Sequence, residues 1–198
     1  MNLNFLSKII DEYDTPIYLL NLNELKKNLN DFRVAFKELG TAFAMAYPFK
    51  TNSTAEIITY FLNEGCWAEV SSEEELQKAV NLKLASEEII YNSPYKRMTS
   101  LKKAIKLGCR IHVDNFEELE RIIQISASRQ IDLRIGIRIS IQGSKWEKFG
   151  FTIGRETDDL LEIVSKEKRI TINSFHIHQS NLIDLNYYRK HIKAIFDF

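Results

Sequence analysis

Short apolar runs alternate with amphipathic stretches along most of the chain. Each run is rich in β-branched or aromatic residues and is followed by polar residues, then by a stretch with helical spacing. Such units recur at intervals of roughly 20–25 residues early in the chain, which favours the strand–helix units of a parallel sheet. The predicted strands are 41–48, 66–72, 88–93, 110–115, 133–140 and 172–180, preceded by a strand at 15–22 and a helix from about 23 to 39.

Polar residues and glycines mark the ends of the predicted helices. Ser53 with Glu56, and Ser72 with Glu75, have the spacing of capping boxes, and Asn115 is a typical N-cap residue. Glycines follow several helical runs, where the left-handed residue that ends a helix commonly lies. These glycines are Gly40, Gly65 and Gly108.

Two architectures accommodate these units, a doubly wound open sheet and a (β/α)8 barrel. Within 41–48, alanines share one face of the strand and larger apolar residues share the other, as a crowded barrel interior requires. We therefore predict an α/β fold, a TIM-type barrel of which about six of the eight βα units are present. Continuing the alternation past Pro48, which marks the strand end, places Lys50 on the interior face.

Composition narrows the classes of function. The 198 residues are 44% hydrophobic, and 27 Lys and Arg balance 27 Asp and Glu, so no basic surface suggests nucleic acid or an acidic membrane. We see no apolar run of membrane-spanning length and no signal-peptide pattern, and we expect a cytoplasmic protein. Cys66 and Cys109 open two predicted strands, so we interpret them as small core residues.

Polar side chains stand at the carboxyl end of each later strand, where parallel α/β folds place their functional sites. We therefore predict a site at this face of the sheet. The residues concerned are Lys50, Asn52, Glu69, Ser71, Asn92, Asp114, Arg138, His176, His178 and Ser180.

The chemistry of these residues is open from the pattern alone. Lys50 is either a solvated lysine or, if it is partly desolvated in a barrel mouth, an amine able to form a Schiff base. His176 and His178 point to the same side of their strand. They are hydrogen-bonded core residues, a pair of zinc ligands, or imidazoles lying against a planar cofactor.

The motifs resemble, in order along the chain, those of the fold-type III pyridoxal-phosphate decarboxylases. That family includes the diaminopimelate, ornithine and arginine decarboxylases. AYPFKTNS resembles its lysine motif YAVKAN, and FHIHQSNLIDL is similar to HCHIGSQITDL. The segments that carry the resemblance are 15–29, 46–53, 65–76, 89–122, 134–140 with 147–151, and 175–185.

The resemblance implies a cofactor, pyridoxal 5'-phosphate, in a barrel of the alanine racemase-like type. Lys50 would form the Schiff base with it, His178 would stack on its ring, and Ser180 would help to hold its phosphate. Glu69 and Arg138 would lie around it. The assignment of His178 uses a one-residue deletion relative to the family motif; without that deletion His176 takes the stacking role.

The resemblance further implies decarboxylation of an amino-acid substrate, most like the conversion of meso-diaminopimelate to lysine and CO2, by a homodimer when full length. Residues 1–22 would supply a strand to a C-terminal β domain, and residues 23–198 would form a cofactor-binding barrel domain that ends before its last strands. The chain is thus expected to be an N-terminal portion. Two alternatives are a non-catalytic relative that binds the cofactor or a partner, and a metal-dependent hydrolase using His176 and His178.

Overall fold

The computed structural model describes residues 3–38, 40, 42–140, 148–178 and 185–196. These form two compact units, Met1–Phe43 and Ala44–Phe198. Within the described residues, no helix has both the length and the apolar character needed to cross a membrane.

The first unit contains two helices, α1 (Leu3–Tyr13) and α2 (Leu22–Lys37). The side chain of Asn21 caps α2 by accepting hydrogen bonds from the backbone N–H groups of Asn23 and Glu24. The predicted helix from about 23 to 39 is therefore confirmed. Helix α1 was not among the predicted elements.

The strand predicted at 15–22 is not formed in this structure. The segment between α1 and α2 contains no strand, and its apolar side chains are largely exposed, with Tyr18 fully so. A strand is stable only when its backbone pairs with a neighbour. The Asn21 cap also commits Leu22 to helix α2 instead.

The second unit alternates strands and helices. Its strands are β1 (Ala46–Pro48), β2 (Trp67–Val70), β3 (Ile89–Asn92), β4 (Arg110–Val113), β5 (Leu133–Ser140), β6 (Phe151–Thr152) and β7 (Ile170–Ile177). Its helices are α3 (Ala55–Asn63), α4 (Glu73–Asn81), α5 (Met98–Leu107), α6 (Phe116–Arg129), α7 (Arg155–Lys166) and α8 (Leu185–Phe196), with a 3-10 turn at Ser86–Glu88.

The sheet is parallel and its first five strands are neighbours in chain order. This order, without the reversal of a doubly wound sheet, is that of consecutive barrel strands and confirms the predicted α/β barrel class. Strands β6 and β7 both pair with β5, and Ile139 is aligned with a residue of each. The pairing brings Pro48 beside Glu69, and Arg138 beside His176.

One predicted strand is much shorter than expected, and one short strand was not predicted. Strand β1 begins at Ala46 and not at 41, because the ladder with β2 starts where Trp67 N–H donates to the Met45 carbonyl. Strand β6 was not among the predicted strands. Its two residues are too few to show an alternating pattern in the sequence.

Most predicted helix ends are confirmed. Ser72 accepts a hydrogen bond from Glu75 N–H, and Asn115 accepts one from Glu118 N–H. The exception is Ser53, since Thr54 is the N-cap of α3 and makes no side-chain cap bond. The backbone N–H of Thr54 donates to the Asn52 side chain, 3.0 Å away, in a local turn.

The core lies between the sheet and its helices and is dominated by Ile, Leu and Val. Both cysteines are free and buried, and Cys109 belongs to the core. Burial raises the pKa of the Cys109 thiol to about 11, so the thiol stays protonated and unreactive at neutral pH. The prediction that these cysteines are core residues is confirmed.

Candidate functional site

Lys50 is held at the carboxyl end of β1 by its neighbours. Phe49 is fully buried, and its N–H donates to the Glu69 carbonyl over 3.0 Å. The backbone then turns, with Thr51 N–H donating to the Pro48 carbonyl. Lys50 Nζ lies 3.2 Å from Glu69 Oε1, with the lysine side chain 40% and the glutamate 15% exposed. The amine is thus paired but accessible.

Asn92, the last residue of β3, extends this contact across the sheet. Its Nδ2 donates to Glu69 Oε1 over 3.1 Å and lies 2.9 Å from His176 Nε2. The residue is only 5% exposed. Four strand ends are therefore joined through side chains, those of Lys50, Glu69, Asn92 and His176.

A histidine of β4 and a histidine of β7 stack ring against ring. The His112 and His176 centroids are 5.0 Å apart and their planes differ by 22°. Burial, followed by the charges of Lys96 and Arg110, lowers the pKa of His112 to about 4. Burial, followed by His112, lowers the pKa of His176 to about 3. Both rings are therefore neutral at pH 7.

Gly136 provides the space for the His112 ring. A Cβ at this position of β5 would lie 2.1 Å from His112 Cδ2 and 2.6 Å from Ser174 Oγ. Both distances are far below van der Waals contact, so only glycine fits beside the present rings. The stacked pair thus depends on a residue of the neighbouring strand.

Arg138 is fixed by a buried ion pair. Its Nη1 lies 2.9 Å from Asp114 Oδ1, with the two side chains 8% and 5% exposed. The guanidinium also lies 5.0 Å from the centre of the Phe149 ring. Gly150 has a φ of 81°, and a Cβ there would lie 2.7 Å from the Arg138 carbonyl oxygen. Phe149 and Gly150 therefore pack closely on Arg138.

A second buried ion pair contacts the backbone of Asp114. Lys96 and Glu118 are 2.7 Å apart and essentially unexposed. Lys96 Nζ also donates to the carbonyls of Ser93 and His112, and Glu118 Oε2 accepts from Asp114 N–H. Burial lowers the pKa of Lys96 and raises that of Glu118, and each partner's charge opposes the change in the other. Sequence reasoning missed this pair.

His178 follows β7 and is half-buried. Its pKa is lowered first by burial and then by the charges of Lys50 and Arg138, while Glu69 acts in the opposite sense. His178 therefore belongs to the electrostatic environment of the other predicted site residues. Ser180 lies outside the described residues. In the described part of the chain, no group of three or more His, Cys, Asp or Glu side chains is arranged to hold a metal ion.

A cavity of about 540 Å³ lies elsewhere, around the amino ends of β4 and β5. Cys109, Arg129 and Leu133 contribute to its wall. It contains none of the polar residues that follow the strands. Chemistry at the carboxyl ends, and not cavity volume, therefore locates the candidate site.

The family model described as the pyridoxal-binding domain of pyridoxal-dependent decarboxylase matches residues 22–198. The chain is 28% identical over 192 residues to a diaminopimelate decarboxylase of Helicobacter pylori, covering 90% of this chain and 47% of that relative. It is 26% identical over 185 residues to the Bacillus methanolicus enzyme of the same name, covering 86% and 43%.

Solved structures give the same picture of the fold. The crystal structure of diaminopimelate decarboxylase from M. jannaschii in complex with L-lysine matches with a TM-score of 0.87 at 22% identity, covering 96% of this chain and 48% of that one. At this identity the likeness shows the fold alone. The chain spans about half the length of the curated relatives it matches.

Proposed function

The chain belongs to the pyridoxal-dependent decarboxylase family through its pyridoxal-binding domain, and from this membership we propose that the protein binds pyridoxal 5'-phosphate through Lys50. The observation that carries the proposal is the accessible Lys50 amine, held 3.2 Å from Glu69 at the carboxyl end of β1. A primary amine at a barrel mouth is the group that attaches to the aldehyde of this cofactor.

The residues present fit the cofactor. Lys50 Nζ would attach it, Glu69 would orient the amine, and Arg138 would add a fixed positive charge beside it. His178 is an uncharged flat ring under the influence of Lys50 and Arg138, which suits stacking on a planar ring. His176 already packs against His112 and lies beside Asn92, so this geometry supports His178 for the stacking role. Ser180 remains proposed as a phosphate ligand.

We propose that the protein decarboxylates an amino acid, with meso-diaminopimelate as substrate and lysine and CO2 as products. When bound, the cofactor supplies an electron sink for the carbon that loses its carboxylate. The chain's own contribution is orientation, because Glu69 and Asn92 hold the Lys50 amine in one direction. The buried Arg138–Asp114 pair keeps a charged group rigid at the same face.

Cofactor capture tests the first part of this proposal. Purified protein mixed with pyridoxal phosphate is reduced with borohydride, digested and examined by mass spectrometry, and the modification is expected on Lys50. Lys50→Arg should abolish it, whereas Lys106→Arg, an exposed position on α5, should leave it unchanged. Reduction that fixes the cofactor on a different lysine would refute the assignment.

Release of CO2 tests the proposed decarboxylation and distinguishes it from the alternative of a non-catalytic relative. Carboxyl-labelled meso-diaminopimelate, ornithine, arginine and lysine are each incubated with cofactor-loaded protein, and labelled CO2 is collected. Release from meso-diaminopimelate above the others supports the proposal. Cofactor capture on Lys50 without release from any of them favours the non-catalytic relative.

The homodimer, the cytoplasmic location and the domain boundary at residue 22 stay proposals. Light scattering during size-exclusion chromatography measures the mass of the assembly, and cell fractionation measures the location. Limited proteolysis around residues 22 and 43 compares the proposed boundary with the boundary between the two compact units.

A further inference from the structure

The carboxamide of Asn92 lies between a carboxylate and an imidazole in a nearly closed environment. Its Nδ2 is 3.1 Å from Glu69 Oε1 and 2.9 Å from His176 Nε2. A carboxamide nitrogen carries two hydrogens, so these two contacts use both of them. Only 5% of the residue is exposed, which leaves little water to replace either partner.

These contacts determine which hydrogens each group carries. Glu69, paired with the Lys50 ammonium, can only accept, so Asn92 must turn its nitrogen and not its oxygen toward it. The same nitrogen meets His176 Nε2, which must therefore be the unprotonated ring nitrogen. The hydrogen of the neutral ring then resides on Nδ1.

We propose that Asn92 and His176 are positioning residues for Lys50, acting through Glu69. His176, in its neutral form protonated on Nδ1, sets the orientation of the Asn92 carboxamide. The carboxamide in turn holds Glu69 Oε1 toward the Lys50 amine. What Lys50 then does rests on the proposed function, but the orientation of these three side chains does not.

The stacked His112 ring gives this arrangement its rigidity. The rings are 5.0 Å apart, and the His112 ring fills the space beside Gly136, so rotation of His176 would disturb the packing of His112. The opposite neutral tautomer carries its hydrogen on Nε2, which would need the Asn92 carboxamide oxygen as acceptor. Turning that oxygen toward His176 would also place it against Glu69 Oε1, and two acceptors would then face each other.

The ring tautomer is measured directly on purified, cofactor-free protein labelled with ¹⁵N in its histidines. Two-bond ¹H–¹⁵N correlation spectra distinguish a nitrogen that carries hydrogen from one that accepts, and the His176→Gln variant identifies the His176 signals. We expect hydrogen on Nδ1 and a bare Nε2. Hydrogen on Nε2 would overturn the proposal, whatever the behaviour of any variant.

The positioning role is measured with Asn92→Asp, which replaces the donor by an acceptor of the same shape. The rate of cofactor capture on Lys50 should fall about ten- to a hundredfold, the usual effect of a hydrogen bond to a charged group. The His176 signals should move away from the Nδ1-protonated pattern. The control Asn173→Asp, exposed on β7, should keep the capture rate within about twofold.

The two proposals fail in different ways. If the wild-type protein captures no cofactor on Lys50, the proposed function fails, and the tautomer of His176 still decides the present inference. If the wild-type protein captures cofactor and Asn92→Asp does so at the same rate, the positioning role is refuted while the function stands. Circular dichroism of both aspartate variants confirms that each is folded.

Discussion

The stacked histidines predict a specific loss of stability in mild acid. The pKa is lowered to about 4 for His112 and about 3 for His176, from an ordinary value of 6.5. At pH values between these pKa values and 6.5, the two histidines bind protons in the unfolded chain but not in the folded chain. Stability from both rings is therefore fully present above pH 6.5 and falls as the pH drops below it.

The magnitude follows from the depth of the shift. At pH 5 the two rings are still neutral in the folded protein but largely protonated in the unfolded chain. Each ring then lowers the free energy of unfolding by about 2 kcal/mol relative to pH 7, at about 1.36 kcal/mol per pH unit below 6.5. Together they remove about 4 kcal/mol, a large part of the 5–15 kcal/mol typical of a domain.

Urea denaturation followed by circular dichroism at pH 7, 6 and 5 measures this loss. Carboxylates also contribute, so the informative quantity is the difference between wild-type protein and His112→Gln. Removing one titrating ring should reduce the loss between pH 7 and pH 5 by about 2 kcal/mol. His178→Gln serves as the comparison, because that ring is less buried and should reduce the loss by less. An unchanged loss in His112→Gln would refute the reasoning.

Three further predictions concern the supports of the site. Lys96→Met leaves a buried carboxylate unpaired and should destabilise the protein by about 3–5 kcal/mol in urea denaturation. Gly136→Ala introduces a Cβ 2.1 Å from His112 and should cost about 1–3 kcal/mol, measured by thermal denaturation, with a visible change in the His112 ring resonances. A double-mutant cycle with Asp114→Asn and Arg138→Gln should give a coupling of about 0.5–3 kcal/mol; a value near zero would contradict the observed ion pair.

Much of the fold was predictable because period-two and helical patterns record which face of each element is buried. Strands with several alternating residues, such as β5 and β7, were found within a few residues of their ends. The segment 15–22 shows the limit of this reasoning. Its apolar residues look like a strand, but a strand forms only where another backbone is available, and the sequence alone does not state that.

The site was predictable where topology decided it. Lys50, Glu69 and Asn92 lie at the carboxyl ends of consecutive parallel strands, so their proximity follows from the strand order. Lys96 and Glu118 were not predictable in the same way. A lysine and a glutamate 22 positions apart look like ordinary surface charges, and only the packing of the loop after β3 against α6 buries them together.

The polar contacts of the buried Lys96–Glu118 pair and those that lead from His176 to Lys50 both involve strand β4. The His112 carbonyl accepts from Lys96, while the His112 ring stacks on the ring that sits beside Asn92. The backbone of one residue is thus fixed by a buried ion pair, and its side chain supports the contact that leads to Lys50. A shift of β4 would break the hydrogen bond from the buried Lys96 ammonium to the His112 carbonyl, and losing a partner of a buried charged group is costly. The Lys96–Glu118 pair therefore holds the backbone of His112 and Asp114 in one position through directional hydrogen bonds, which apolar side chains cannot make.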